Sequence, residues 1–147
     1  MKREFEMKGE RIVTGKRGEL KVIGKLLEEG FTVYTPIADV EGIDCIIKND
    51  KGRLIEIQIK TRNEGDEDRH FRVKNLKPHE DFFICCYLID TGELWTIPSY
   101  TFKKISYTLS NGTSGIVMNQ SKRRELSVYK DDLGLGLLRL GRYRDSN

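Results

Sequence analysis

The stretch from Gly42 to Arg62, Gly-Ile-Asp-Cys-Ile-Ile-Lys-Asn-Asp-Lys-Gly-Arg-Leu-Ile-Glu-Ile-Gln-Ile-Lys-Thr-Arg, leaves this chain few ways to fold. Two runs rich in β-branched residues flank the turn-forming tetrad Asn49-Asp50-Lys51-Gly52, which predicts a β-hairpin. In the second run Ile55, Ile57 and Ile59 alternate with Glu56, Gln58 and Lys60. Successive strand side chains point to opposite faces, so the isoleucines enter a core and the three polar residues share the other face. Asp44 stands at the start of the partner strand. An acid on one strand, opposed to an amide and a lysine on the next, can hold a hard cation and a phosphate oxygen together, which points to phosphodiester chemistry.

The remaining segments read as elements around this hairpin. Leu20, Val22, Ile23, Leu26 and Leu27 recur at helical spacing between Gly15 and Gly30, predicting a helix over 16–29. Residues 32–35 form a strand ended by Pro36, 71–73 a short strand, and 82–89 a long apolar strand that turns at Asp90-Thr91-Gly92 into a partner over 94–97. The acidic segment 63–70 reads as an exposed loop, and 98–105 as a short helix with Pro98 at its start. Residues 111–115 read as another loop; Asn111-Gly-Thr113 matches a glycosylation acceptor but is taken as a turn. Beyond Ser121 the chain is helical, with Gly134, Gly136 and Gly141 weakening the pattern. The mixture predicts an α/β fold with a mixed central sheet flanked by helices. At 147 residues it predicts a single domain spanning 1–147.

With 37% hydrophobic and 33% charged residues the chain has a globular composition, not a disordered one. A formal net charge of +3 permits a polyanionic partner without demanding one. Its distribution says more: Lys16, Arg17, Lys21 and Lys25 cluster early, and Lys122, Arg123, Arg124, Arg139, Arg142 and Arg144 make the last quarter basic. These are candidate phosphate contacts. Cys45, Cys85 and Cys86 lie in apolar strand runs without the paired spacing of a zinc site, and read as reduced core thiols. The charged start has no signal-peptide apolar stretch and no run reaches membrane-spanning length, so the expected location is cytoplasmic.

Each candidate residue also has a plainer reading. Glu19 falls within the apolar stripe of its helix, facing the sheet, where a carboxylate needs a cationic partner; alternatively it sits in the first turn and complements the helix dipole. Asp44 can be a turn cap, and Glu56, Gln58 and Lys60 a solvated strand face. Arg62 reads as a strand end, and His70 and His79 as surface residues without a carboxylate partner. Trp95, Tyr100 and Phe102 read as core. Lys122-Arg123-Arg124 beside a polar segment favours nucleic acid over a merely solvated face. The leucines at 133, 135, 137, 138 and 140 suit either core or a subunit interface.

Gly18-Glu19, Gly42-Ile43-Asp44 and Ile57-Gln58-Ile59-Lys60-Thr61-Arg62, in that order, resemble the motifs of the PD-(D/E)XK nuclease superfamily. The likeness spans the first two thirds of the chain. It is to the small single-domain members with a Gln-x-Lys variant, similar to Mrr-type restriction domains, archaeal Holliday junction resolvases and an intron homing endonuclease. Gln58 stands where most members have Asp or Glu, and a neutral amide contributes less to holding a hard cation. The resemblance implies a restriction-endonuclease-like fold and a Mg²⁺-dependent DNA endonuclease of homing, restriction or junction-resolving type, with Mn²⁺ substituting. It implies that Glu19, Asp44, Gln58 and the Ile59 carbonyl hold the metal, that Lys60 acts on the attacking water, and that Glu19, Asp44, Gln58 and Lys60 form the catalytic set. Lys16, Arg17, Arg62, Lys122, Arg123 and Arg124 are the candidate DNA contacts. One such site cuts one strand, so double-strand cleavage implies a homodimer or larger assembly. The alternative is a nucleic-acid-binding module that keeps the fold and has lost cleavage.

Overall fold

In a computed structural model describing residues 2–63 and 69–141, α1 (Lys2–Glu28) leads through β1 (Thr32–Tyr34) to the hairpin β2 (Cys45–Lys48) and β3 (Leu54–Arg62). Then come β4 (His70–Lys74), β5 (Phe82–Leu88), β6 (Glu93–Pro98), α2 (Ser99–Ile105), β7 (Tyr107–Thr108) and β8 (Thr113–Val117). The described chain closes with α3 (Gln120–Glu125), a 3-10 turn at Ser127–Tyr129 and α4 (Asp131–Leu140). β1-β2-β3-β5-β6 form one sheet, in which β3 and β5 run parallel and the other neighbours antiparallel. β4-β8-β7 form a second, antiparallel sheet.

The alternation in β3 sets the layers. Ile55, Ile57 and Ile59 are buried together with Val22 and Leu26 of α1, Phe83 and Cys85 of β5, and Leu135 and Leu138 of α4. On the opposite face, Ile84, Cys86 and Leu88 of β5 and Trp95 and Ile97 of β6 pack on Phe71 and Val73 of β4, Ile116 of β8 and Phe102 of α2. β5 is therefore buried throughout, which is why its sequence is apolar without alternation. Covering the second face with a small sheet as well as helices leaves a cleft where the polar face of β3 meets β4 and β8.

Four expectations change. α1 does not begin after Gly15 but runs back to Lys2, passing through Gly9 and Gly15. A helical glycine costs about 1 kcal/mol, which the surrounding helix formers absorb. Leu20 and Leu27 leave the apolar stripe and are exposed, at 59% and 56%. The expected loop over 111–115 is only a turn, in which Asn111 accepts a hydrogen bond from the Thr113 N–H (3.1 Å); Thr113 already belongs to β8. The C-terminal leucines divide, Leu135 and Leu138 entering the core while Leu133 and Leu140 face outward. Most of the acidic 63–70 segment, together with Arg142 and Arg144, lies outside the described residues. No helix among the described residues is long and apolar enough to cross a membrane.

Candidate active site

Asp44 is the residue just before β2, in register with Gln58 across the hairpin. Its N–H still donates to the Ile57 carbonyl at 2.8 Å, but the chain then leaves the ladder at Gly42, whose φ of +81° suits glycine. The next β3 donor, the Ile59 N–H, is taken by Asp44 Oδ2 at 2.6 Å. The side chain thus replaces a missing backbone acceptor. The capping role expected of a plain aspartate is real, and it fixes the carboxylate in place beside Gln58.

Asp44, Gln58, Ile59 and Lys60 line one cavity of about 580 Å³, closed on the other side by Arg72 and Lys74 of β4 and by Leu109, Asn111 and Thr113. Gln58 is 8% exposed, and its amide makes no hydrogen bond to a described residue. The amide is therefore open to the cavity and available to a ligand there. Among the described residues no group of three or more His, Cys, Asp or Glu side chains is arranged to hold a metal. A carboxylate, an amide oxygen and a backbone carbonyl nonetheless make an all-oxygen donor set, which fits a hard divalent cation and not a soft one.

Glu19 approaches from the other side. A Cβ on Gly18 would overlap the Thr61 side chain, so α1 comes this close to β3 only because residue 18 is glycine. That contact brings Glu19 to a smaller cavity of about 220 Å³, which it shares with Asp44, Lys16 and Asp39. Asp44 is the common wall, and Glu19 does not line the larger cavity. Because α1 starts at Lys2, Glu19 lies mid-helix and the dipole explanation falls away. Its cationic partner is Lys16, one helical turn back at 3.5 Å. Both carboxylates reach the core electrostatically: burial first, then the charges of Cys85, Asp44 and Glu19, push the Cys45 thiol up to about 12. All three cysteines are unbridged and buried.

Glu56, though on the same strand face, is engaged elsewhere. Contrary to the reading of His79 as a surface residue without a carboxylate, His79 Nε2 lies 3.1 Å from Glu56 Oε2. Its Nδ1 accepts the Asp81 N–H at 3.2 Å, so the ring proton sits on Nε2 and is donated to Glu56. The ring also stacks on Phe82, and the backbone on either side of it bonds the Ser99 hydroxyl. His79 ties the segment before β5 to β3 and α2. His70 likewise has a partner, the Tyr107 hydroxyl at 2.6 Å.

The basic candidates scatter. Arg17 is exposed on α1, and Arg62 is half-buried at the far end of β3. Lys122 pairs with Glu125 at 3.0 Å, and Arg123 with Glu93 at 2.8 Å above the Trp95 ring; Arg124 is exposed. None of these five lines the cavity of Asp44, Gln58 and Lys60. Arg72 and Lys74 do, and sequence reasoning passed over them. Their signal was the alternation of His70, Arg72 and Lys74 with Phe71 and Val73.

Residues 11–123 match the family model of the PD-(D/E)XK endonucleases. The chain belongs to that family. This PD-(D/E)XK chain is also similar in structure to the bacterial homing endonuclease I-Ssp6803I, with a TM-score of 0.61 and 19% identity over 86% of this chain and 89% of that one. At that identity the likeness bears on the fold, which is restriction-endonuclease-like. No curated protein matches. The family assigns the chain to the nucleases, and the matched segment takes in Gly18-Glu19, Asp44 and Gln58-Ile59-Lys60.

Proposed function

We propose that this PD-(D/E)XK chain is a single-domain, Mg²⁺-dependent DNA endonuclease, with Mn²⁺ able to substitute, acting in the cytoplasm. The observation that carries the proposal is the shared cavity that a pinned Asp44, the Gln58 amide and Lys60 line together. Asp44, Gln58 Oε1 and the Ile59 carbonyl would hold the cation, with Glu19 reaching it directly or through a water shared with Asp44. The bound cation would neutralise charge on the scissile phosphate and polarise the attacking water. Lys60 Nζ orients that water in line with the leaving oxygen and stabilises the charge that develops as the new O–P bond forms and the bridging P–O bond breaks. Asp44 stays fixed because its second role, accepting from Ile59 N–H, belongs to the sheet.

Glu56 is set aside as a ligand because its carboxylate is committed to His79, which favours Gln58 despite its neutrality. Lys16, Arg17, Arg62, Lys122, Arg123 and Arg124 serve as phosphate contacts outside the cavity. Paired strand cuts, of homing, restriction or junction-resolving type, use a symmetric homodimer or larger assembly. The test is cleavage of supercoiled plasmid and of linear, nicked, flapped and four-way DNAs by pure protein with Mg²⁺ or Mn²⁺. Cutting that disappears in Lys60→Ala and Asp44→Ala supports the reading. DNA binding without cutting under any of these conditions would leave a binding module in its place.

A further inference from the structure

The wall of the cavity facing Asp44, Gln58 and Lys60 is built from the small sheet. On β4, Arg72 and Lys74 occupy alternate positions, both are exposed, and both line the cavity. Arg72 is in register with Gly115 of β8, and Gly115 with Tyr107 of β7, so the three form a row across the sheet. A Cβ on Gly115 would overlap the Tyr107 ring. Glycine at that position lets the ring lie across β8 and carry its hydroxyl to β4. There the hydroxyl accepts from Arg72 Nε at 3.2 Å and meets His70 Nδ1 at 2.6 Å, with the two rings edge to face. Three residues on two strands, and a glycine on the strand between them, thus converge on the orientation of one guanidinium. Lys74, one step along, makes no ion pair with a described residue. Lys77 continues the basic line into the adjoining cavity, which Gln58 and Glu41 also line.

We infer that Arg72 and Lys74, with Arg72 positioned by the Tyr107 hydroxyl, form a clamp that grips the DNA backbone at the phosphates flanking the one held at Asp44 and Lys60. This rests on the nuclease reading of that site and adds where the substrate strand lies, in the cleft between β3 and β4. Preorganising a guanidinium lowers the ordering cost of gripping a phosphate, and the planar donor fork matches phosphate oxygens.

The test measures binding of a fluorescein-labelled mixed-sequence duplex by the full chain in EDTA across a salt series, separately from cleavage in Mg²⁺. The Arg72→Gln/Lys74→Gln double variant should bind at least roughly tenfold more weakly, with the slope of log K against log salt shallower by about 2. Tyr107→Phe keeps both charges and should bind several-fold more weakly with the slope unchanged, a pattern that loss of sheet structure would not give. Wild-type affinity and slope in the double variant would overturn the clamp and leave the nuclease reading intact. If the wild type never cuts but the double variant loses binding as stated, the clamp stands and the nuclease reading fails.

Discussion

β3 and β5 lie side by side and parallel, with Gln58 beside Ile84 and Lys60 beside Cys86, yet they do opposite jobs. β5 is buried at every position from Phe82 to Leu88. β3 commits only Ile55, Ile57 and Ile59 to the core and turns Gln58 and Lys60 into a cleft. The neighbouring strand therefore supplies rigidity that a strand with polar residues on one face could not supply for itself. A reactive constellation is most accurate when mounted on an element whose own position is settled by packing it does not have to make.

That division of labour can be broken most visibly at Lys60. Lys60→Ala should lower single-turnover cleavage with Mg²⁺ by about 10²–10⁴-fold while leaving thermal melting within error of the parent. A large loss of melting temperature would mean that the polar face of β3 is structural after all. The reverse is expected one strand away, where Ile84→Ala opens a void in the second core and should cost about 2–5 kcal/mol in urea unfolding. Asp44 belongs to both categories, and two substitutions separate them. Asp44→Ala strips the Ile59 N–H of its acceptor and should cost about 1–3 kcal/mol, whereas Asp44→Asn keeps an oxygen there and should be nearly neutral. Both should lose metal uptake in calorimetry.

The smallest effect belongs at the start of β6. Burial works against the charge of Glu93, but hydrogen bonds from Lys130 and Thr91, with the charges of Arg123 and Lys130, outweigh it and hold the carboxyl below its ordinary value of 4.5. A carboxyl depressed by folding contributes stability above its unfolded value and loses it as pH falls through the folded one. Glu93→Gln should therefore be slightly less stable than the parent at neutral pH. That difference should fade as the pH drops below 4.5, as chemical denaturation across a pH series would show.

Much of this was legible in the chain. The alternation of β3 and the unbroken apolar run of β5 are local patterns, and they gave the strand faces and both hairpins correctly. Asp44, Gln58 and Lys60 were legible as neighbours because the hairpin that brings them to one cavity is local in sequence, whereas Glu19, brought up by α1, lines a separate cavity that shares only Asp44 with theirs. What escaped depends on contacts between distant segments. Glu56 and His79 are 23 residues apart, and nothing local tells that they meet. β8 was hidden because Asn111-Gly112 signals a turn so strongly that the short strand behind it, buried by pairing with β4 and β7, was absorbed into the loop. Gly15 was read as a helix boundary, although glycine only lowers helix propensity and does not forbid helix. Arg72 and Lys74 alternate with the buried Phe71 and Val73, and nothing local tells that this strand faces β3 across a cavity.

The bond from Ile59 N–H to Asp44 Oδ2 makes the acid a rung of the sheet. A nascent or misregistered chain, with the two strands not yet zipped, would lack the fixed carboxylate that stands beside Gln58 and Lys60. On the proposed nuclease reading, cutting would then wait for the completion of folding, a safeguard that needs no inhibitor.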